Sequence, residues 1–535
     1  MKKRMIAVLT AFAVLYSGIC IRLYDVAKNK IVTANGAQKR YTITIDEIRG
    51  DIFDCNGEKL VSADYENIVA LKPTYKALTS LRNVLDEKEY EALRLRMQSS
   101  EAISVNIGKF AIDENSDTVM LRKNIRYSEK QLAVHIIGYL NGEGRGVYGI
   151  EKSFDSLLYT GKNLSAKLTA DVHGRIMSGT QIEIVNDGIA TGSVTLTIDR
   201  NIQEIVENAL DDNSVECGGA VVVEIETGAI RAIASRPVFD NGNISTDLKN
   251  EKSPFLNRAL NPYSVGSVFK VAVAAAAIEN GFGNFSYECT GSCEISGTVF
   301  NCNKSTAHGK LDITKALECS CNTFFINLAR VVGAERVVET ASLMGFGQEN
   351  VLAEEIVSKS GVLPTLNELE SEGAFANFSF GQGRFTATML QLCNMISSVA
   401  NEGKYNKPYL VEKATAPDGT VIQSHSGGYP VYTLSQATCR KLAPMLVSVI
   451  ENGNAGKARL ENGILAAGKT ATAQTGIFDE KGNEICNTWF AGFFPADKPE
   501  YAVVVLKEGG SSGATDCAPI FKHIADKIVA LKKFS

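Results

Sequence analysis

The sequence predicts an α+β protein: an antiparallel sheet packed with helices, preceded by an irregular α+β module and a membrane anchor. Three observations predict it. First, "GGAVVVEIETGAIRAIAS" is two apolar, β-rich runs around a Thr227-Gly228 turn. Second, "ILAAGKTATAQTG", "NTWFAGFFPAD" and "EYAVVVLKEGG" are three more strand-like runs, followed by a helical stretch from Cys517 to Lys533. That order of elements suits an antiparallel sheet covered by helices. Third, Met5 to Ile21 carries no charge and follows Lys2, Lys3 and Arg4. Such a run is near the lower limit for a membrane span, and the leading charges keep the N-terminus in the cytoplasm.

Taken in order, residues 1–4 are expected to be a cytoplasmic tail and 5–21 a single-pass anchor, with the rest outside the cell membrane. A cleaved signal peptide is the rival reading, but no small-x-small site follows, and Ile19 stands before Cys20 where a lipobox needs a small residue. Residues 22–191 form the irregular module. In it Tyr41, Ile43 and Ile45 alternate as a strand, and Asn56-Gly57 between Ile52-Phe53 and Leu60-Val61 signals a hairpin. Asp86 to Met97 reads as a charged surface helix. The second domain, 192–535, opens with a strand at Val194 to Ile198. Asp199 then caps a helix with Ile202, Ile205, Val206 and Leu210 on one face.

The 535 residues allow two or three domains. A formal net charge of −5 and the lack of a basic, aromatic-interleaved stripe argue against nucleic acid as a partner. Histidine is scarce, with five in all. The unusual stretch is "YSVGSVFKVAVAAAAIEN", where Lys270 is the one charge between Ser267 and Ala277. A buried ammonium must find partners or shift its pKa. Ser267, three residues earlier, shares its helix face. Gly266 permits a tight turn, and the first helical turn offers unpaired N–H groups to a developing oxyanion. A serine beside an amine suits nucleophilic catalysis, whereas the plain alternative is a capping serine and a snorkelling lysine.

Two further triplets follow in order: Ser320-Cys321-Asn322 and Lys469-Thr470-Ala471. Singly, Ser320 reads as a helix cap, Asn322 as a turn residue and Lys469 as an edge-strand lysine. Together with Ser267-x-x-Lys270 they match the S-x-x-K, S-D-N-like and K-T-G set of serine β-lactamases and penicillin-binding proteins. Residues 40–535 resemble a class B penicillin-binding protein, a monofunctional peptidoglycan D,D-transpeptidase. Besides the triplets, "RGDIFDCNG", "HIIGYL", "YGIEKSFDSLLYTGK", "LTIDRNIQ", "FGQGRFTATMLQLCNMISSVANEGKYNKP" and "WFAGFFPAD" carry the resemblance. It implies a serine β-lactamase/transpeptidase-like domain behind a pedestal domain.

The resemblance implies that Ser267 attacks a D-Ala-D-Ala stem peptide or a β-lactam, with Lys270 as base. Ser320 relays a proton and Asn322 holds the substrate amide. Lys469, Thr470 and Thr472 receive the donor carboxylate, and the N–H groups of Ser267 and Thr472 form the oxyanion hole. A membrane glycosyltransferase is the implied partner, and no cofactor is needed for catalysis. The family's third motif ends in glycine, and here Ala471 stands instead. Its methyl is expected to hold the strand off Ser267 and misplace the Thr472 N–H. A D,D-carboxypeptidase or β-lactamase, and a weakly catalytic scaffold or sensor, are the alternative functions.

Five of the twelve cysteines, 289, 293, 302, 319 and 321, crowd into one segment. Cys289, Cys302, His308 and Cys321 form C-x12-C-x5-H-x12-C, a ligand set for a structural zinc, with Cys293 and Cys319 as spares. Some elongation-type members of the resembled class carry a zinc between the first and second motifs. A Cys289–Cys293 or Cys289–Cys302 disulfide, or free thiols, are the rivals.

Overall fold

The computed structural model describes residues 9–10, 12–24, 39–99, 101–171, 173, 175–177, 179–186, 190–302, 305–427, 430–461 and 463–532. Lys2, Lys3, Arg4, Lys533 and residues 5–8 and 11 of the expected anchor lie outside these. Residues 12–24 are helical. Among the described residues no helix is long and apolar enough to cross a membrane.

The chain divides into two units. The first holds residues 1–49, 62–126 and 160–189. Its sheet of Asp64–Leu71 between Ile103–Asn106 and Thr118–Ile125 packs Val69, Leu71 and Ile103 against Leu78, Leu81 and Leu93. The expected charged helix runs over Glu87–Arg96, and Asp86 with Glu89 forms a reciprocal capping box.

The second unit holds residues 50–61, 127–159 and 190–535. Residues 50–61 and 127–159, inside the 22–191 segment of the sequence reading, cluster here. The turn at Asn56-Gly57 forms, with Gly57 at φ 84°, but Phe53↔Lys59 is its only bridge. The buried Asp54 carboxylate accepts from Asn56 N and Glu58 N at 2.8 Å each, bending the chain in an Asx turn. The expected hairpin forms as a short one, with Asp54 N donating to Glu58 O (2.8 Å) and Leu60 N to Ile52 O (2.9 Å), and Asp51–Phe53 also pairs in parallel with Ser193–Leu196.

The elements that build the site follow. Helix α1 (Arg200–Asp212) is capped by Asp199, which accepts from Asn201 N and Ile202 N. Strands β1 (Gly218–Glu224) and β2 (Ile230–Arg236) form the expected hairpin. Helices α2 (Lys270–Glu279), α3 (Ile313–Glu318), α4 (Asn322–Val332), α5 (Met389–Ala400) and α6 (Gln436–Glu451) come next. Strands β3 (Ala467–Phe478), β4 (Glu484–Phe494) and β5 (Tyr501–Glu508) precede α7 (Cys517–Lys532). The antiparallel sheet has the order β2-β1-β5-β4-β3, so β3 is an edge strand.

Alternation along β4 separates its two faces. Phe490 and Phe494 meet Phe521 of α7. Trp489 therefore points to the opposite face, where its Nε1 donates to Ser264 O (2.9 Å). Helix α2 is buried from Lys270 to Ile278 and packs on α4 and α6.

Candidate active site

The turn before α2 is held from three directions. Gly266 has φ 62° and its N–H donates to Gly381 O (2.8 Å). Gly381 has φ 81°, and a Cβ there would lie 2.1 Å from Gly266 O, so neither position admits a side chain without displacement. On the third side, a Cβ on Gly266 would lie 3.2 Å from Thr472 O and from Ala473 Cα in β3. Trp489 pins Ser264, two residues before Gly266. Ser267 is half-buried in a 3₁₀ turn, Gly266–Phe269, that runs into α2 at Lys270. The sequence suggested an α-helical first turn. The tighter 3₁₀ winding aligns residues i and i+3 more directly, which suits the Ser267/Lys270 pair.

Lys270 is 0 % exposed. Its Nζ donates to Ser320 O (2.8 Å), Ser320 Oγ (3.2 Å) and Asn322 Oδ1 (2.7 Å). Burial lowers its pKa to about 8, against a smaller opposing pull from the Cys321, Cys302 and Cys319 thiols. Ser320 adopts φ 55°, a left-handed conformation uncommon for a non-glycine residue, which turns both its oxygens toward the amine. Asn322 opens α4, and its Nδ2 donates to Asn301 O (3.0 Å), so both ends of the amide are engaged. The first two motifs thus meet at one buried amine.

The third motif lies on the edge strand. Lys469 is 0 % exposed, and its Nζ donates to Thr470 O (3.0 Å). Burial, and then the charge of nearby Lys270, hold its pKa well below the usual lysine value. An arriving carboxylate would offset both effects. Thr470 Oγ1 donates to Asn454 Oδ1 (3.2 Å), while exposed Thr472 accepts from Gly513 N (3.4 Å). Because β3 has a partner on one side only, alternate N–H groups of the strand face away from β4, as an oxyanion donor must.

Ala471 is 3 % exposed, and Gly513 packs on its backbone: a Cβ at 513 would fall 2.5 Å from Ala471 O. With Ala471 in place, β3 runs close to the turn that carries Ser267: a Cβ on Gly266 would lie 3.2 Å from Thr472 O and from Ala473 Cα. Gly381, Trp489, Asn301, Asn454 and Gly513 were not singled out from sequence. Trp489 carried a signal, as the single tryptophan of the chain.

Behind Ser320 and Asn322, the ligand atoms of Cys289, Cys302, His308 and Cys321 all lie within 4.8 Å of one another. The Cys289–Cys302 and Cys302–Cys321 sulfur separations are 3.7 and 3.6 Å, and Cys289 Sγ is 3.3 Å from His308 Nδ1. Four ligands about 2.3 Å from a tetrahedral zinc stand about 3.8 Å apart, so the set fits that ion. Thr323 Oγ1 lies 3.3–3.5 Å from all three sulfurs, placed as an outer hydrogen-bond partner. Every cysteine is a free thiol, and the spares Cys293 and Cys319 stand outside the cluster.

Residues 218–526 match the model of the penicillin binding protein transpeptidase domain. The chain is 29% identical over 500 residues to penicillin-binding protein PbpB of Mycolicibacterium smegmatis, covering 88% of this chain and 73% of that one. It is 27% identical over 515 residues to stage V sporulation protein D of Bacillus subtilis (89% and 77%). It is 28% identical over 424 residues to the peptidoglycan D,D-transpeptidase FtsI of Escherichia coli K12 (76% and 67%). Among solved structures, apo penicillin-binding protein 3 of Mycobacterium tuberculosis shares the fold at TM-score 0.66 and 23% identity, over 92% of this chain and 97% of that one. The chain belongs to the penicillin-binding protein transpeptidase family.

Proposed function

We propose that this chain cross-links peptidoglycan as a class B penicillin-binding protein, a serine D,D-transpeptidase, and that β-lactams acylate it. The observation that carries the reading is the buried Lys270 amine, one 3₁₀ turn beyond Ser267, bound to both oxygens of Ser320 and to Asn322. In this reading Lys270 first gives up one of the three protons it donates to Ser320 and Asn322, and the neutral amine's lone pair then takes the Ser267 hydroxyl proton as Oγ attacks the penultimate D-Ala carbonyl. The oxyanion meets the N–H groups of Ser267 and Thr472. The peptide C–N bond then breaks, and Lys270 returns the proton through Ser320 Oγ to the departing D-Ala amine. Asn322 holds the donor amide, and Lys469, Thr470 and Thr472 hold its carboxylate. The acceptor amine attacks the ester carbonyl and gives a proton to Lys270, which passes it to Ser267 Oγ as the ester C–O bond breaks, restoring the serine hydroxyl and the neutral amine. A β-lactam follows the first half, but its leaving nitrogen stays tethered.

We also propose that Met5–Ile21 anchors the chain in the cell membrane with the catalytic domain outside, and that a membrane glycosyltransferase supplies its glycan strands. We assign a structural zinc to Cys289, Cys302, His308 and Cys321, with no part in the bond-making steps. Fluorescent penicillin tests the catalytic reading. The wild-type chain should form a long-lived adduct that Ser267→Ala abolishes. Rapid loss of the label would indicate a β-lactamase, and an unlabelled wild type a scaffold.

A further inference from the structure

Asn454 lies between two of the site's segments and belongs to neither. It follows α6, whose Ser448 Oγ donates to the Glu318 carboxylate (2.6 Å). The Asn454 N–H donates to Glu318 O (3.1 Å). Gly453 presses on the same backbone: a Cβ there would lie 2.8 Å from Glu318 Cα and from Glu318 O. Residues 453–454 are therefore fixed to the end of α3, just before Ser320. The Asn454 side chain reaches the other way. Its Oδ1 accepts from Thr470 Oγ1 (3.2 Å), and it borders a cavity of about 430 Å³ with Glu318, Cys319 and Gly453.

A hydroxyl has one proton to donate. While Thr470 gives it to Asn454, it has none for a donor carboxylate. An amide carries an acceptor on one arm and donors on the other, and its last torsion is soft. Turned over, the Asn454 amide donates to Thr470 Oγ1 and leaves the hydroxyl proton free. We propose that Asn454 is a positioning residue for donor recognition: its amide accepts from Thr470 at rest and turns to donate when the substrate's terminal carboxylate arrives. The inference rests on the transpeptidase reading, which places that carboxylate at Thr470. It names the chemistry that the residue serves, an anionic peptide terminus or the carboxylate of a β-lactam.

The discriminating variant is the isosteric Asn454→Asp. A carboxylate can only accept, so it retains the Thr470 proton and adds negative charge where an anion binds. Acylation efficiency is measured with benzylpenicillin and with its methyl ester, for wild type, Asn454→Asp and Asn454→Ala, each with and without Thr470→Val. With benzylpenicillin, Asn454→Asp should lose about 100-fold and Asn454→Ala about 10-fold. With the ester, both should stay within about twofold of wild type. In the Thr470→Val background the Asn454→Ala loss should vanish. An Asp variant as fast as wild type, or equal losses on both probes, overturns the proposal. A wild-type chain that benzylpenicillin does not acylate overturns the transpeptidase reading, and this inference with it.

Discussion

In the proposed mechanism Lys270 concentrates the chemistry in one side chain. Its burial destabilises the ammonium, and its three hydrogen bonds keep the amine in place. With a pKa of about 8, the neutral base gains population as pH rises from 7 to 9. Acylation of Ser267 should therefore accelerate about tenfold over that range and then level off. Lys270→Arg, which remains protonated, should show no such acceleration, so its loss grows from about 10²-fold at pH 7 to about 10³-fold at pH 9. Stopped-flow acylation rates check both, and a pH-independent wild-type rate would contradict the assigned base. This pair was legible because a lone charge in an apolar run, three residues after a serine, needs an explanation. Asn454 was not, because its partners Glu318 and Thr470 come from distant segments.

At the scale of elements, the cysteine cluster supports both partners of Lys270. Cys302 follows Asn301, whose carbonyl receives the Asn322 amide, and Cys321 lies between Ser320 and Asn322. Cys321 also caps α4, accepting from Phe324 N at 3.4 Å. A zinc there would stiffen the second motif from behind. The purified chain should carry about one zinc, and Cys302→Ser should lose it and lower Tm by several degrees, about 2 kcal/mol or more. Elemental analysis without zinc, together with an unchanged Tm, would rule it out. The ligand residues were readable as a pattern, but only their folded spacing separates a tetrahedral set from disulfides. At Asn56-Gly57 local pattern found the turn and its short hairpin, but not the parallel partner that the first strand takes from a distant segment. Strands β3 to β5 and the β1–β2 hairpin were readable because apolar runs and turn residues bound them sharply.

For the whole molecule, three motifs spread from Ser267 to Ala471 act as one only because the fold returns β3 to the nucleophile turn. Gly266, Gly381 and Trp489 make that return tight, and none contributes a reacting group. The same arrangement would serve hydrolysis or transfer, since both pass through one acyl-enzyme, and the acceptor decides between them. The most direct measurement is therefore a muropeptide analysis of glycan strands polymerised by an added glycosyltransferase in the presence of the full chain. The account predicts cross-linked dimers, with one D-Ala released per cross-link, and neither product with Ser267→Ala or after penicillin treatment. Release of D-Ala without dimers would make the chain a carboxypeptidase, and dimers formed by the Ser267→Ala variant would contradict the site itself.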